Sequence, residues 1–346
     1  MLYYLLYPLR EYFTIFNVFK YITFRAAFAS ITAFLITVIF APPIIRKLAA
    51  LKIGENVRRE ECPNLYEKHK NKQGTPTMGG ILILIGIFAS TLLWAELYNP
   101  YLLLALFVTL YMGVLGFIDD YRKLVYKKTK SGKRGLNKRT KLFFQVLIGL
   151  LVALFLYWNP DNTRALEFPF FKNIVIDLGI FYIPFVMIVI TACSNAVNIT
   201  DGLDGLAIGA IIMTAVTYTG MSYVTGHVKF AEYLGIYYLP EAAELTVFCA
   251  SIIGAGLGFL WYNSYPATIF MGDTGALALG GAIGTVAVFI KKEMLLFLVG
   301  GIFVVEALSV LLQIISFRTT GKRIFKIAPI HHHVEMCGWP ESKVTI

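Results

Sequence analysis

The apolar positions along the chain gather into nine long runs, at about 21–42, 77–95, 100–118, 142–158, 178–194, 204–224, 243–261, 273–290 and 294–317. Most approach the ~20 residues that an α-helix needs to cross a ~30 Å hydrocarbon core. Lipid offers no partners to a backbone, so each run must satisfy its own hydrogen bonds as a helix. The pattern predicts an all-α fold: a polytopic transmembrane helix bundle of about nine spans. It forms one domain over residues 1–346, without linkers or a clear internal repeat. The run at 273–290 is the least clearly delimited.

Composition agrees. With 57% hydrophobic residues, 15% charged residues and a mean hydropathy of +0.67, an ordinary soluble globular protein is excluded. The opening "MLYYLLYPLR" has neither a basic start nor a small-residue cleavage site. It is expected at the membrane interface, not as a removed signal peptide. Cys62, Cys193, Cys249 and Cys337 lack metal-ligand spacing and read as ordinary thiols.

Charge sets the orientation. Residues 43–76 hold eight Lys and Arg, 119–141 hold ten and the tail from 317 holds five, together 23 of 31. Counting spans puts all three segments on one face, which the positive-inside rule makes cytoplasmic, with the N-terminus outside. The opposite segment 159–177 carries only Arg164 and Lys172. A basic cytoplasmic face also attracts anionic lipid heads or soluble anions.

The aspartates add chemistry to this topology. Asp161 and Asp177 fall in an external loop, whereas Asp119, Asp120, Asp201, Asp204 and Asp273 all fall at cytoplasmic span ends. In "GFIDDYRK" the pair Asp119–Asp120 could simply end a helix at water. Neighbours on a helix point ~100° apart, so the pair is not expected to grip one ion together. Divided labour is expected, one carboxylate facing substrate or metal and the other holding a cation such as Lys123.

"NAVNITDGLDGLAIG" spaces Asp201 and Asp204 at i, i+3 on one helical face. Its glycines admit close backbone approach, and Asn195 and Asn198 add amide groups. A helix cap would need only one of these acids. Asp273, in "NSYPATIFMGDTGALALG", opens the eighth run, where it either caps the helix or serves an anion site at the helix start. A carboxylate beside phosphate calls for a divalent cation between them, and Mg²⁺ suits oxygen ligands and phosphates.

"NKQGTPTMGG" offers Lys72 and Thr77 as donors to phosphate or base, although a loop followed by close helix packing explains it equally well. In "KRIFKIAPIHHHVE" three adjacent histidines diverge too much to ligate one metal. They suit donation to an anion beside Lys322, Arg323 and Lys326.

These motifs, in this order and on one face, resemble the phospho-N-acetylmuramoyl-pentapeptide transferases, a branch of the polyprenyl-phosphate N-acetylhexosamine-1-phosphate transferases. The resemblance runs from about residue 20 to 346 and rests on "TPTMGG", "GFIDDYRK", "NAVNITDGLDGLA", "FMGDTGALALG" and "APIHHHVE". The triple histidine favours this branch over the N-acetylglucosamine-1-phosphate transferases. The family typically has a tenth span after the histidines, and this chain stops at "ESKVTI", where it would begin.

The resemblance implies transfer of phospho-MurNAc-pentapeptide from UDP-MurNAc-pentapeptide to undecaprenyl phosphate, giving lipid I and UMP, with Mg²⁺. It implies a multi-pass protein of the bacterial inner membrane, a homodimer, with no nucleic-acid partner. Asp119, Asp120 and Asp273 would be catalytic, Asp273 the metal ligand. Lys72, Thr77, Asn198, Asp201, Asp204, Asn263 and Phe270 would bind the nucleotide and pyrophosphate. His331 and His332 would approach phosphate or sugar, and Lys123 and Lys141 would neutralise charge. A secondary transporter is disfavoured, because it would place acids near the bilayer midplane, not at one face. A scaffold without activity would leave the clustering unexplained.

Overall fold

The computed structural model describes residues 1–51, 72, 74–127, 135–159, 164–169 and 171–346. Cys62, Asp161 and much of two basic segments lie outside the described residues. Among those described, nine apolar helices match the nine runs. They are α1 (Ile22–Ala50), α2 (Gly80–Trp94), α3 (Pro100–Lys127), α4 (Lys138–Trp158), α5 (Tyr182–Thr200), α6 (Leu206–Thr225), α7 (Leu245–Asn263), α8 (Gly272–Phe289) and α9 (Gly301–Thr320). Eight have the length and hydropathy to span a membrane; α2, with 15 residues, is shorter.

The least clearly delimited run became the centre of the bundle. Helix α8 has 89% of its 18-residue window buried, the most enclosed of the candidate spans. Small residues make this possible, because packing inside lipid depends on close van der Waals contact and not on a hydrophobic drive between helices. A Cβ on Gly80 would collide with the backbone of Gly275, and one on Gly116 with the carbonyl of Asp273. Thus α2 and α3 both press backbone to backbone against the first turn of α8.

Two features depart from the nine-span expectation. The segment before α5 is a β-hairpin, β1 (Ala165–Phe168) paired antiparallel with β2 (Phe171–Asp177). The run at 294–317 is a short helical turn, Leu296–Val299, followed by α9. Helix α9 buries only a narrow stripe, Phe303, Glu306 and Ser309, and exposes Leu308, Leu311, Leu312 and Ile315 to the surroundings.

Ion pairs lock the end opposite the aspartates. Arg25 of α1 makes two bonds to Glu244, just before α7, at 2.7 and 2.6 Å. Such a fork pairs the two buried charges, and removing one partner of a buried pair costs about 3–5 kcal/mol. The chain closes with α10 (Ile330–Met336) and α11 (Glu341–Thr345), both returning to the aspartate-bearing end.

Candidate active site

Helices α3, α5 and α7 end, and α6 and α8 begin, on one face of the bundle, so five helix termini deliver the motif residues together. The segments holding Thr77 and Phe270 are joined through the backbone. Phe270 N–H donates to Pro76 O at 2.8 Å, and Gly79 N–H donates back to Phe270 O at 2.8 Å.

The adjacent aspartates have different partners. Gly116 lets α3 touch α8, and Asp120, one helical turn further on, reaches the exposed amides of α8. Its Oδ1 accepts from Asp273 N–H at 3.3 Å, and its Oδ2 accepts from Thr274 N–H at 3.0 Å and Thr274 Oγ1 at 2.8 Å. The first-turn amides of a helix have no partners within the helix, and a carboxylate there also meets the positive end of the dipole. The cap of α8 therefore comes from Asp120, on another helix, and not from Asp273.

Asp119 faces the other way. Its Oδ1 accepts from Leu136 N–H at 2.5 Å, and its Oδ2 lies 2.9 Å from Lys123 Nζ and 3.6 Å from Lys141 Nζ. Asp273 Oδ2 receives both lysines, Lys123 at 2.9 Å and Lys141 at 2.6 Å. Asp119 Oδ2 and Asp273 Oδ2 each lie 2.9 Å from Lys123 Nζ, which makes the two carboxylates neighbours. Two carboxylates this close need cations beside them, and the lysines supply that charge.

Among the described residues, no three acidic or imidazole side chains converge on a single point fit for a metal. The donor chemistry nevertheless suits a hard, oxygen-preferring dication that keeps most of its waters. Both oxygens of Asp120 are engaged in capping. The Asp273 side chain is the most open of the three, 16% exposed against 6% for Asp119 and Asp120. Asp273, with Asp119 beside it, is the pair that could hold such an ion.

The second half of the site surrounds Lys72. Its Nζ donates to Asp204 Oδ1 at 2.6 Å and to Glu341 of α11, and it lies 5.9 Å from the centre of the Phe270 ring. Asp204 also accepts from Ala267 N–H at 2.9 Å, while Glu341 accepts from Asp204 N–H at 2.9 Å. Asn263 bonds two backbone groups, accepting from Gly205 N–H at 3.1 Å and donating to Ile269 O at 2.8 Å. Asn198 buries an Nδ2 with no partner among the described residues. Asp201 ends α5, and Thr77 packs beside Gly272 and the Asp120 carboxylate.

The histidines split up. His331 Nδ1 lies 3.0 Å from Glu306 Oε2 of α9, and His332 Nδ1 lies 2.8 Å from Glu335 Oε2. His333 turns away, its Nδ1 accepting from Lys326 N–H at 3.1 Å. Three acids went unmarked in the sequence reading: Glu306, Glu335 and Glu341. The signal for Glu306 was present, since it is an acid inside an apolar run, and Glu335 stood within the histidine motif itself. Nothing in the local pattern of "WPESK" distinguishes Glu341.

Comparison with known proteins fits this geometry. The model of glycosyl transferase family 4 matches residues 102–291, more than half of the chain. A phospho-N-acetylmuramoyl-pentapeptide-transferase signature matches residues 72–84. The phospho-N-acetylmuramoyl-pentapeptide-transferase of Citrifermentans bemidjiense is 54% identical over 346 residues, covering 100% of this chain and 94% of that protein. Those of Geobacter sp. strain M21 and Thermodesulfovibrio yellowstonii are 53% and 51% identical, with 100% of this chain and 94% of each relative covered.

The chain belongs to the phospho-N-acetylmuramoyl-pentapeptide-transferase family.

Within this family's frame, the signature spans Lys72, Thr77 and the glycines that bring α2 onto α8. The larger match takes in Asp119, Asp120, Asp201, Asp204 and Asp273 but stops short of Glu306 and the histidine helix α10.

Proposed function

We propose that this chain transfers phospho-MurNAc-pentapeptide from UDP-MurNAc-pentapeptide to undecaprenyl phosphate, releasing UMP and leaving lipid I in a bacterial membrane during peptidoglycan synthesis. One observation carries the reading in a chain of this family. Three aspartates and two lysines meet at one bundle end, beside a Lys72–Asp204–Phe270 group able to bind a nucleotide. The soluble substrate then arrives from the cytoplasm, and the lipid phosphate sits where the membrane ends. The membrane is the inner membrane, the N-terminus lies outside and the working assembly is a homodimer.

The base stacks on Phe270 and is read by Lys72 and Asp204. Asn198 offers its unpaired amide to the pyrophosphate, and Asp201, His331 and His332 border the same region. Asn263 acts by fixing the 205 and 269 backbones. Thr77 shapes the approach to Asp120.

A phosphate monoester has a second pKa near ~6, so the lipid phosphate is largely doubly charged at neutral pH and needs no strong base. Its oxygen attacks the sugar-bearing phosphorus directly. A new P–O bond forms as the bond to the UMP oxygen breaks, and UMP leaves with that electron pair. The barrier is anion meeting anion, and Lys123 and Lys141 lower it by neutralising charge. Asp119 takes any residual proton from the attacking phosphate. Magnesium, held by Asp273 with Asp119 beside it, would add further neutralisation.

The test is UMP release in detergent micelles, with and without undecaprenyl phosphate, in Mg²⁺ or EDTA. Release that requires both substrates and metal supports direct transfer. A stoichiometric burst without the lipid would replace direct attack by a covalent aspartyl intermediate. No release from folded protein under any condition rejects the function.

A further inference from the structure

Glu306 is an acid on a helix that otherwise exposes apolar side chains. Along α9 the buried stripe is Phe303, Glu306 and Ser309, spaced three apart, so the one contact line this helix makes has a carboxylate in it. An acid within a membrane helix is expensive and calls for a partner and a reason. Its partner is His331, and both residues are only 3% exposed. Glu306 Oε2 lies 3.0 Å from His331 Nδ1. At that distance the two atoms face each other without completing a hydrogen bond, and neither they nor His331 Nε2 has a hydrogen-bond partner among the described residues.

The far side of the ring is just as constrained. A Cβ on Gly202 would run into His331 Nε2, so the imidazole meets the Asp201–Gly202 turn with its Nε2 corner foremost. That turn connects α5, with the unpaired Asn198 amide, to Asp204, the partner of Lys72. A carboxylate facing one ring nitrogen settles which nitrogen carries the proton and how the ring is turned.

Resting on the function proposed above, we propose that Glu306 is a positioning residue for the nucleotide-sugar site. Its carboxylate, lying against His331 Nδ1, favours the ring proton on that nitrogen and so turns Nε2 toward the Asp201–Gly202 turn. Helix α9 thereby sets the shape of a pocket that it does not itself line. What the position requires is an acceptor oxygen aimed at Nδ1. A glutamine supplies one; a leucine of similar volume does not.

The experiment compares Glu306→Gln, Glu306→Leu, His331→Gln and the Glu306→Leu/His331→Gln double variant, in detergent, for UMP release and thermal unfolding. Glu306→Leu is expected to raise KM for UDP-MurNAc-pentapeptide about tenfold and leave KM for undecaprenyl phosphate unchanged. Glu306→Gln is expected to restore most of that loss, and the double variant to fall no further than His331→Gln alone. Equal losses for both substrates, no rescue by glutamine, or additive losses in the double variant would each overturn the inference. If no variant releases UMP while the wild type does, binding of UMP alone decides the matter: weaker in Glu306→Leu and near wild type in Glu306→Gln. If the wild type itself releases none, the proposed function fails and not this pairing.

Discussion

Asp120 Oδ2 accepts from both the amide and the hydroxyl of Thr274, at 3.0 and 2.8 Å, and in doing so one helix caps another. Its neighbour Asp119 caps no helix and lies closer to Lys123, at 2.9 Å against 3.6 Å for Asp120. The adjacent carboxylates thus have different partners, Asp119 the lysines and Asp120 the start of α8.

Asp120→Asn should therefore damage stability first. An asparagine sets an NH₂ against donors, leaving buried amides short of an acceptor at about 1–3 kcal/mol. The apparent melting temperature in detergent should drop, and Thr274→Val should reproduce part of the drop. Asp119→Asn keeps an acceptor for Leu136 N–H, so its melting temperature should stay close to wild type. Its UMP release should fall by roughly 10²-fold, the low end for a lost general base. Reversal of the two phenotypes would exchange the assigned roles.

The shared lysines give a prediction with an opposing sign. Removing Lys141 takes one positive charge from Asp273 Oδ2, where Lys123 remains at 2.9 Å. The carboxylates become more negative, so a divalent cation should bind more tightly even as turnover falls. In Lys141→Ala the Mg²⁺ concentration for half-maximal UMP release should drop about tenfold, equivalent to about 1.4 kcal/mol. A metal requirement that rises instead would mean that Lys141 does not share the metal's site.

Much of this was legible in the sequence, for identifiable reasons. Runs of apolar residues have no alternative in lipid to helices, so the nine elements and the side on which the aspartates gather followed from composition and spacing. The motif residues Lys72, Asp204, Asp273, Lys123 and Lys141 do come together. What stayed hidden was tertiary. That Asp120 caps α8 depends on Gly116 letting two backbones touch, a contact between residues 157 positions apart. The hairpin at 165–177 is short and lies beyond the spans, where hydropathy carries no signal. The enclosure of α8 could not be read from its modest hydropathy of 1.3, because burial there rests on glycine contacts and not on bulk.

Lys72 supplies a third test. It joins Asp204 to Glu341 at the end of the site proposed to bind the nucleotide. Lys72→Met would leave two carboxylates without their cation, and both sit close to the amide of Asp204. Binding of the nucleotide should suffer more than the chemical step, so KM for UDP-MurNAc-pentapeptide should rise with kcat less affected. Glu341→Ala should weaken UMP binding in the same direction but less, since it frees the Asp204 amide while leaving Lys72 on Asp204. A pure kcat effect in both variants would remove this group from the binding site.

The last prediction concerns the end opposite the aspartates. Lys291 Nζ donates to Tyr182 Oη at 2.6 Å, and Tyr182 Oη donates to Glu293 Oε1 at 3.1 Å, leaving Glu293 Oε2 buried without a partner. Burial pushes the Glu293 carboxyl up to about 7 from an ordinary 4.5. A raised carboxyl stabilises the fold fully below pH 4.5, and that contribution is lost as the pH climbs through about 7, because there the folded state must release a proton it prefers to keep. Melting temperature in detergent should therefore decline across this window by an amount corresponding to a few kcal/mol at most. Glu293→Gln, uncharged at every pH, should flatten the decline and melt higher than wild type near pH 7.5. Lys291 opposes the trend only at higher pH, since burial lowers its ammonium to about 8 and its neutral form gains above that value. A wild-type profile that is flat from pH 4.5 to 7, or a Gln variant with the same slope, would show that Glu293 is ionised throughout and held by Lys291 as a true ion pair.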